Sequence, residues 1–169
     1  MTSRYGLFVA ILLGFGITGA LWWQLNRDLE PAEQQLFKKL DFALSGNPPR
    51  AEDVVKAFDL GKECAHKTCF FGSGQIGSLR YGKANIRPSE EGVIFVLEDF
   101  AGACIRVDRA EGHFGTSQPE ESCSHGGCWT RVAQREWGII GFGLKERHAQ
   151  CASSVVINTQ PYQRHHPDQ

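Results

Sequence analysis

Six cysteines, divided three and three, constrain this chain more than any other feature. Two boxes share the pattern Cys-x-His-x-x-Cys: Cys64 to Cys69 around His66, and Cys123 to Cys128 around His125. An aromatic residue follows each box directly, Phe70 or Trp129, and a further cysteine comes later, Cys104 or Cys151. Sulfur spaced in this way either staples a domain covalently or holds a metal ion. A domain of modest length has a modest core, and covalent staples compensate for it.

The first 30 residues bear on that choice. No charged residue occurs from Tyr5 to Asn26. Tyr5 to Trp23 is long enough to cross about 30 Å of hydrocarbon as a helix. Trp22 and Trp23 lie at one end and Tyr5 at the other, where amphipathic rings favour the headgroup level. Apolar residues run all round this helix with no polar stripe, which argues against a core helix. The expected arrangement is a single-pass cell-membrane protein with a cytoplasmic tail at 1–4 and a transmembrane helix at 5–25. A cleaved signal peptide, processed at Thr18-Gly19-Ala20, is the alternative. The twin tryptophans and the length of the apolar run favour a retained signal-anchor.

Orientation draws on two opposed signals. Arg4 precedes the span, while Arg27, Lys38 and Lys39 follow it, so the basic count leans toward placing the domain inside. Six cysteines beyond the span lean toward an oxidising compartment. The cysteines outweigh the small difference in basic residues, and the domain is expected outside the cytoplasm, in a periplasmic-type location.

Beyond the span, the chain reads as α+β: a helical stalk and linker at 26–49, then a two-layer domain at 50–160 with antiparallel sheet and disulfides; the plainer alternative to a stalk is that both helices cover the sheet. Leu36, Phe37, Leu40 and Leu44 share one helical face. Gly46 ends that helix, and Asn47-Pro48-Pro49 makes a stiff joint. A second helix follows to about Leu60, with Ala51, Val54, Val55 and Phe58 at helical spacing and Gly61 as its stop. From Cys64 the pattern turns to strands: Ser78–Arg87, Gly92–Glu98, Ala103–Val107, Cys128–Ala133, Trp137–Leu144 and Ser153–Asn158. Short connections favour antiparallel pairing. Residues 161–169 read as a flexible polar tail.

An internal repeat, 64–107 and 123–157, is suggested by the boxes and by two further matches. Gly92-Val93-Ile94 parallels Gly138-Ile139-Ile140. Leu97 precedes Cys104, and Leu144 precedes Cys151, by the same seven positions. Three cysteines per half is an odd number, so full pairing requires at least one bridge between halves. The preferred set is Cys69–Cys104, Cys128–Cys151 and Cys64–Cys123. A second set joins Cys64–Cys69, Cys123–Cys128 and Cys104–Cys151. Six cysteines admit 15 pairings, so sequence alone does not choose.

Zinc is the alternative to disulfides. Thiolate and imidazole are good zinc ligands, and two three-donor boxes completed by a later cysteine give Cys64, His66, Cys69, Cys104, Cys123, His125, Cys128 and Cys151. Zinc sites more often use Cys-x-x-Cys spacing, and an oxidising compartment consumes thiols. A thiol-disulfide oxidoreductase is the third reading. Haem attachment needs Cys-x-x-Cys-His, which is absent. Met1 is the only methionine, which disfavours copper handling.

Other motifs carry little chemistry. Gly72 to Gly77 fits a Gly-x-Gly-x-x-Gly string but lacks the following helix, so it reads as a hairpin turn. Gly14 to Gly19 fits the same string inside the apolar span. Net charge is −1, without the basic field that nucleic acid requires. No nucleophile elbow or P-loop appears. His113 and His148 show no partner in sequence. Phe70, Phe71, Trp129 and Trp137 read as core, with Trp129 also placed to line a groove beside a cysteine bridge.

The order helix, helix, then sheet resembles the small lipoproteins of the outer-membrane barrel-assembly machinery over Ala51 to about Val107. It carries no diagnostic motif, this chain lacks their lipidated cysteine, and no function is taken from it. The expected function is a non-enzymatic interaction or scaffolding domain, anchored in the membrane and meeting an envelope protein partner. No nucleic acid, small-molecule ligand or cofactor is expected, zinc being the cofactor of the alternative reading.

Overall fold

A computed structural model describes residues 30–90, 92–117, 119–121 and 129–160. The expected tail at 1–4, span at 5–25 and terminal tail at 161–169 lie outside the described residues. Among the described residues, no helix is long and apolar enough to cross a membrane.

The domain is α+β with antiparallel sheet. It opens with helices α1 (Pro31–Ala43) and α2 (Ala51–Phe58). A 3-10 turn (Lys62–Ala65) leads to β1 (Cys69–Phe71), β2 (Gly74–Ile76), β3 (Leu79–Tyr81), β4 (Lys83–Ser89) and β5 (Gly92–Glu98). A short β6 (Ile105–Arg106) runs into α3 (Val107–Phe114). Strands β7 (Glu120–Glu121), β8 (Trp129–Arg135), β9 (Gly138–Leu144), β10 (Cys151–Ala152) and β11 (Ser154–Asn158) complete it. Seven strands form one antiparallel sheet in the order β1-β4-β5-β11-β9-β8-β7; β10 pairs with β6, and β2 with β3.

The register explains the core. Leu97, Val155 and Phe142 are direct neighbours across β5, β11 and β9, and so are Phe95, Ile157 and Ile140. Alternation puts all six on one face, and all are buried. The three helices cover that face. Phe58 of α2 meets Phe95 at 4.5 Å between ring centroids, while Phe37 of α1 and Phe114 of α3 both meet Phe142.

Of the two readings of the first helix, a stalk or a cover on the sheet, the packing agrees with the second: α1 is a wall of the domain. Leu36, Phe37 and Leu40 are almost completely buried, and α1 packs against α2. Burying three large side chains stabilises this position by several kcal/mol, which a solvated stalk would forgo. Glu33 fixes the start of α1. Its carboxylate is 1% exposed, and Oε1 accepts the backbone N–H of Arg106 at 2.6 Å. Glu33→Ala removes that acceptor and is expected to cost about 1–3 kcal/mol. Glu33→Gln, which keeps an oxygen there, should recover part of the loss in urea unfolding.

Two expected strands are recast, and one expected core residue is exposed. Ser78–Arg87 is two strands, since Gly82 interrupts it between β3 and β4. Ala103–Val107 keeps only Ile105 and Arg106 as strand before α3 begins. Phe70, expected in the core, is 72% exposed: it lies on an edge strand, in register with Asn85 on the face away from the helices.

Hairpins β4–β5 and β8–β9 have strands of equal length and flank β11. Gly92 and Gly138 open β5 and β9 at φ +141° and +143°, backbone that side-chain-bearing residues avoid. Leu97 is the sixth residue of its strand and Leu144 the seventh. This one-residue slip lets both leucines face the helices while the two glycines lie on opposite faces.

Candidate functional site

The first cysteine box closes on itself. The 3-10 turn folds Cys64 inward, with its N–H on Gly61 O at 2.9 Å, and buries its sulfur side. Cys69 then begins β1, and the two form a disulfide across a Cα separation of 5.6 Å. Cys104 bonds Cys151 across 5.1 Å, beside the antiparallel pairing of β6 with β10. The preferred Cys69–Cys104, Cys128–Cys151 and Cys64–Cys123 bridges are corrected accordingly. Cys64, Cys69, Cys104 and Cys151 are spent within these two bonds, and each sulfur makes one such bond. Both observed bridges belong to the second set; Cys123, His125 and Cys128 lie outside the described residues.

A sulfur in a disulfide is not a thiolate, and metal ligation requires the thiolate. Cys64, Cys69, Cys104 and Cys151 could join the zinc set only after reduction of both bridges. His66 is exposed and stands on the rim of a groove of about 760 Å³ that also takes in Arg50, Glu52 and Glu90. Among the described residues, no group of three or more His, Cys, Asp and Glu side chains could hold a metal ion.

A second cleft, of about 560 Å³, adjoins the Cys104–Cys151 bridge. It gathers Arg106 and Asp108 from the β6–α3 junction, Arg131 from β8, and Arg147, His148 and Gln150 from the segment after β9. The β6–β10 pairing sets Arg106 opposite Cys151, and Val107 N–H reaches Gln150 O at 2.9 Å. Chain entering α3 and chain leaving the β9 segment are thus fastened together under the disulfide.

Most of the charge in this cleft is internally matched. Arg106 donates Nε to Asp108 Oδ1 at 3.0 Å and Nη2 to Oδ2 at 2.5 Å. The Arg106 hydrogen bond, helped by its charge, holds the Asp108 carboxyl below the ordinary aspartate range. Arg131 donates Nη1 to Glu111 Oε2 at 2.7 Å, while its Nε is buried without an acceptor. Arg147 lies over the Trp129 ring at 5.2 Å from the centroid, a cation–π placement. The Arg106 and Arg131 guanidiniums are thus held by carboxylates of the domain itself.

Sequence reasoning singled out Trp129 but none of the arginines. Trp129 and Arg131 are two apart on one strand and share a face; that alternation was the available signal. It also left His113 without a partner, whereas Nε2 meets Asp41 Oδ1 at 2.9 Å and the ring packs on Phe37. No protein-family model, curated protein or solved structure matches this chain.

Proposed function

We propose that this chain is an interaction module held at the membrane by residues 5–25, with its disulfide-bonded domain outside the cytoplasm. The observation that carries the proposal is the pair of bridges, Cys64–Cys69 and Cys104–Cys151. Such bonds persist in oxidising compartments and are rare in the reducing cytosol. The uncharged run ahead of the domain supports a single-span anchor. The arginine-bearing cleft supports binding of a partner: its side chains are prearranged by Asp108 and Glu111, and prearranged polar groups cost less to order on association. The expected occupant is an envelope protein presenting acidic side chains.

One experiment tests compartment and covalent state together. Full-length chain, extracted under an alkylating agent without reductant, is mapped by mass spectrometry, and a C-terminal reporter reads topology. Cys64, Cys69, Cys104 and Cys151 are expected unmodified until reductant is added, with the reporter active only outside the cytosol. Free thiols at these four positions, or a cytosolic C-terminus, would refute the proposal.

A further inference from the structure

We propose that an exposed stripe of α1 and α2, built from Lys38, Lys39, Lys56 and Phe42, docks on the anionic headgroups of the membrane carrying the chain. This inference rests on the anchoring reading above. Its starting point is an amphipathic patch. Gln35, Lys38 and Phe42 fall on successive turns of the outer face of α1, opposite the buried Leu36, Phe37 and Leu40. Phe42 is 41% exposed, one of two large hydrophobic side chains so placed among the described residues. Lys56 reaches from α2 over the Phe42 ring, its ammonium 5.2 Å from the centroid. Lys39 is fastened beside it, donating to Ala57 O at 2.6 Å. Together with Ala57 they frame a shallow, mostly apolar depression.

The charges of this patch are unmatched. Among the described residues, none of the three ammoniums has a carboxylate within ion-pair distance. The acids of α1 are turned elsewhere: Glu33 is buried against Arg106, and Asp41 faces His113. A cationic rim around an exposed aromatic ring is the pattern that settles at a headgroup boundary, ring toward the acyl region and ammoniums on phosphates.

Chain length places the membrane within reach. Five residues, 26–30, separate the apolar segment from Pro31. Extended, they span at most about 17 Å. Lys38 and Phe42 lie about 10 and 16 Å along α1 from its first residue. A tether this short raises the effective concentration of a weak contact with the bilayer.

The test uses full-length chain in vesicles of phosphatidylcholine alone or with phosphatidylglycerol as the anionic lipid. A water-soluble amine-acylating reagent labels lysines, and peptide mass spectrometry reads each rate. Lys38, Lys39 and Lys56 should react about fivefold or more slowly in the anionic vesicles, and high salt should remove the difference. Lys83 and Lys145, exposed and off the patch, should react alike in both. Lys38→Glu with Lys56→Glu should abolish the protection at Lys39. Equal rates at Lys38, Lys39 and Lys56 in both vesicles, from chain that resists carbonate extraction, overturn the patch and leave the anchor standing. If carbonate strips the chain, the anchor falls instead. The patch is then judged by sedimentation with phosphatidylglycerol vesicles, where salt-insensitive binding unaltered by the double variant overturns it.

Discussion

Removing the Cys104–Cys151 bridge, by Cys104→Ala with Cys151→Ala, should lower stability by about 4 kcal/mol, against about 2 kcal/mol for Cys64→Ala with Cys69→Ala. The bridges close loops of very different size, with sequence separations of 47 and 5. In the chain-entropy description a longer closed loop removes more freedom from the unfolded chain. Native packing narrows the gap, since Cys64 is buried and its truncation leaves a small void, whereas Cys151 is exposed. The order of the two effects should survive. Urea unfolding measures it: the long-loop variant should show the lower midpoint, and a steeper slope because its unfolded state exposes more surface. Equal midpoints would mean that native contacts, not loop closure, carry the stabilisation.

The same loss should reach the arginine cleft. Arg106 is set opposite Cys151, and Gln150 O accepts Val107 N–H, so the bridge aligns two of the cleft's walls. Its opening leaves Arg106 paired with Asp108 but frees the segment bearing Arg147 and His148 to move. Loss of the sulfur pair is thus expected to alter the shape of the cleft.

The helices α1 and α2 were legible because apolar residues recur at helical spacing and are buried as that spacing predicts. Strands β5 and β9 were legible as apolar runs bounded by turn residues. The helix α3 was not. Its eight residues offer Val107, Ala110 and Phe114 as the buried positions, with Gly112 inside, which lowers helical propensity. Tertiary contacts hold it: Phe114 packs on Phe37 and Phe142, and Arg135 Nη2 donates to Phe114 O at 2.5 Å. The sequence offered both observed bridges in its second set but did not choose them, because Cys104–Cys151 depends on the β6–β10 pairing that brings its two cysteines together. The cleft was hidden for the same reason. Arg106, Arg131 and Arg147 are far apart in sequence, and only the sheet order brings their elements to one side.

Phe142→Ala is expected to cost about 3–5 kcal/mol, whereas Phe42→Ala should stay within about 1 kcal/mol. The two substitutions remove the same ring from opposite environments. Phe142 has no exposed surface, and its centroid lies 5.6 Å from Phe114 and 6.4 Å from Phe37. One truncation therefore opens a void beneath α1 and α3 together. Of the two, α3 has the weaker intrinsic hold and should respond first. Hydrogen exchange across 107–114 should accelerate more than exchange across β4 and β5. The effect bears on the cleft, because α3 carries Asp108 and Glu111, the partners of Arg106 and Arg131. A fall in global stability with α3 exchange unchanged would show that the Arg131–Glu111 pair, rather than the aromatic cluster, holds that helix to the sheet.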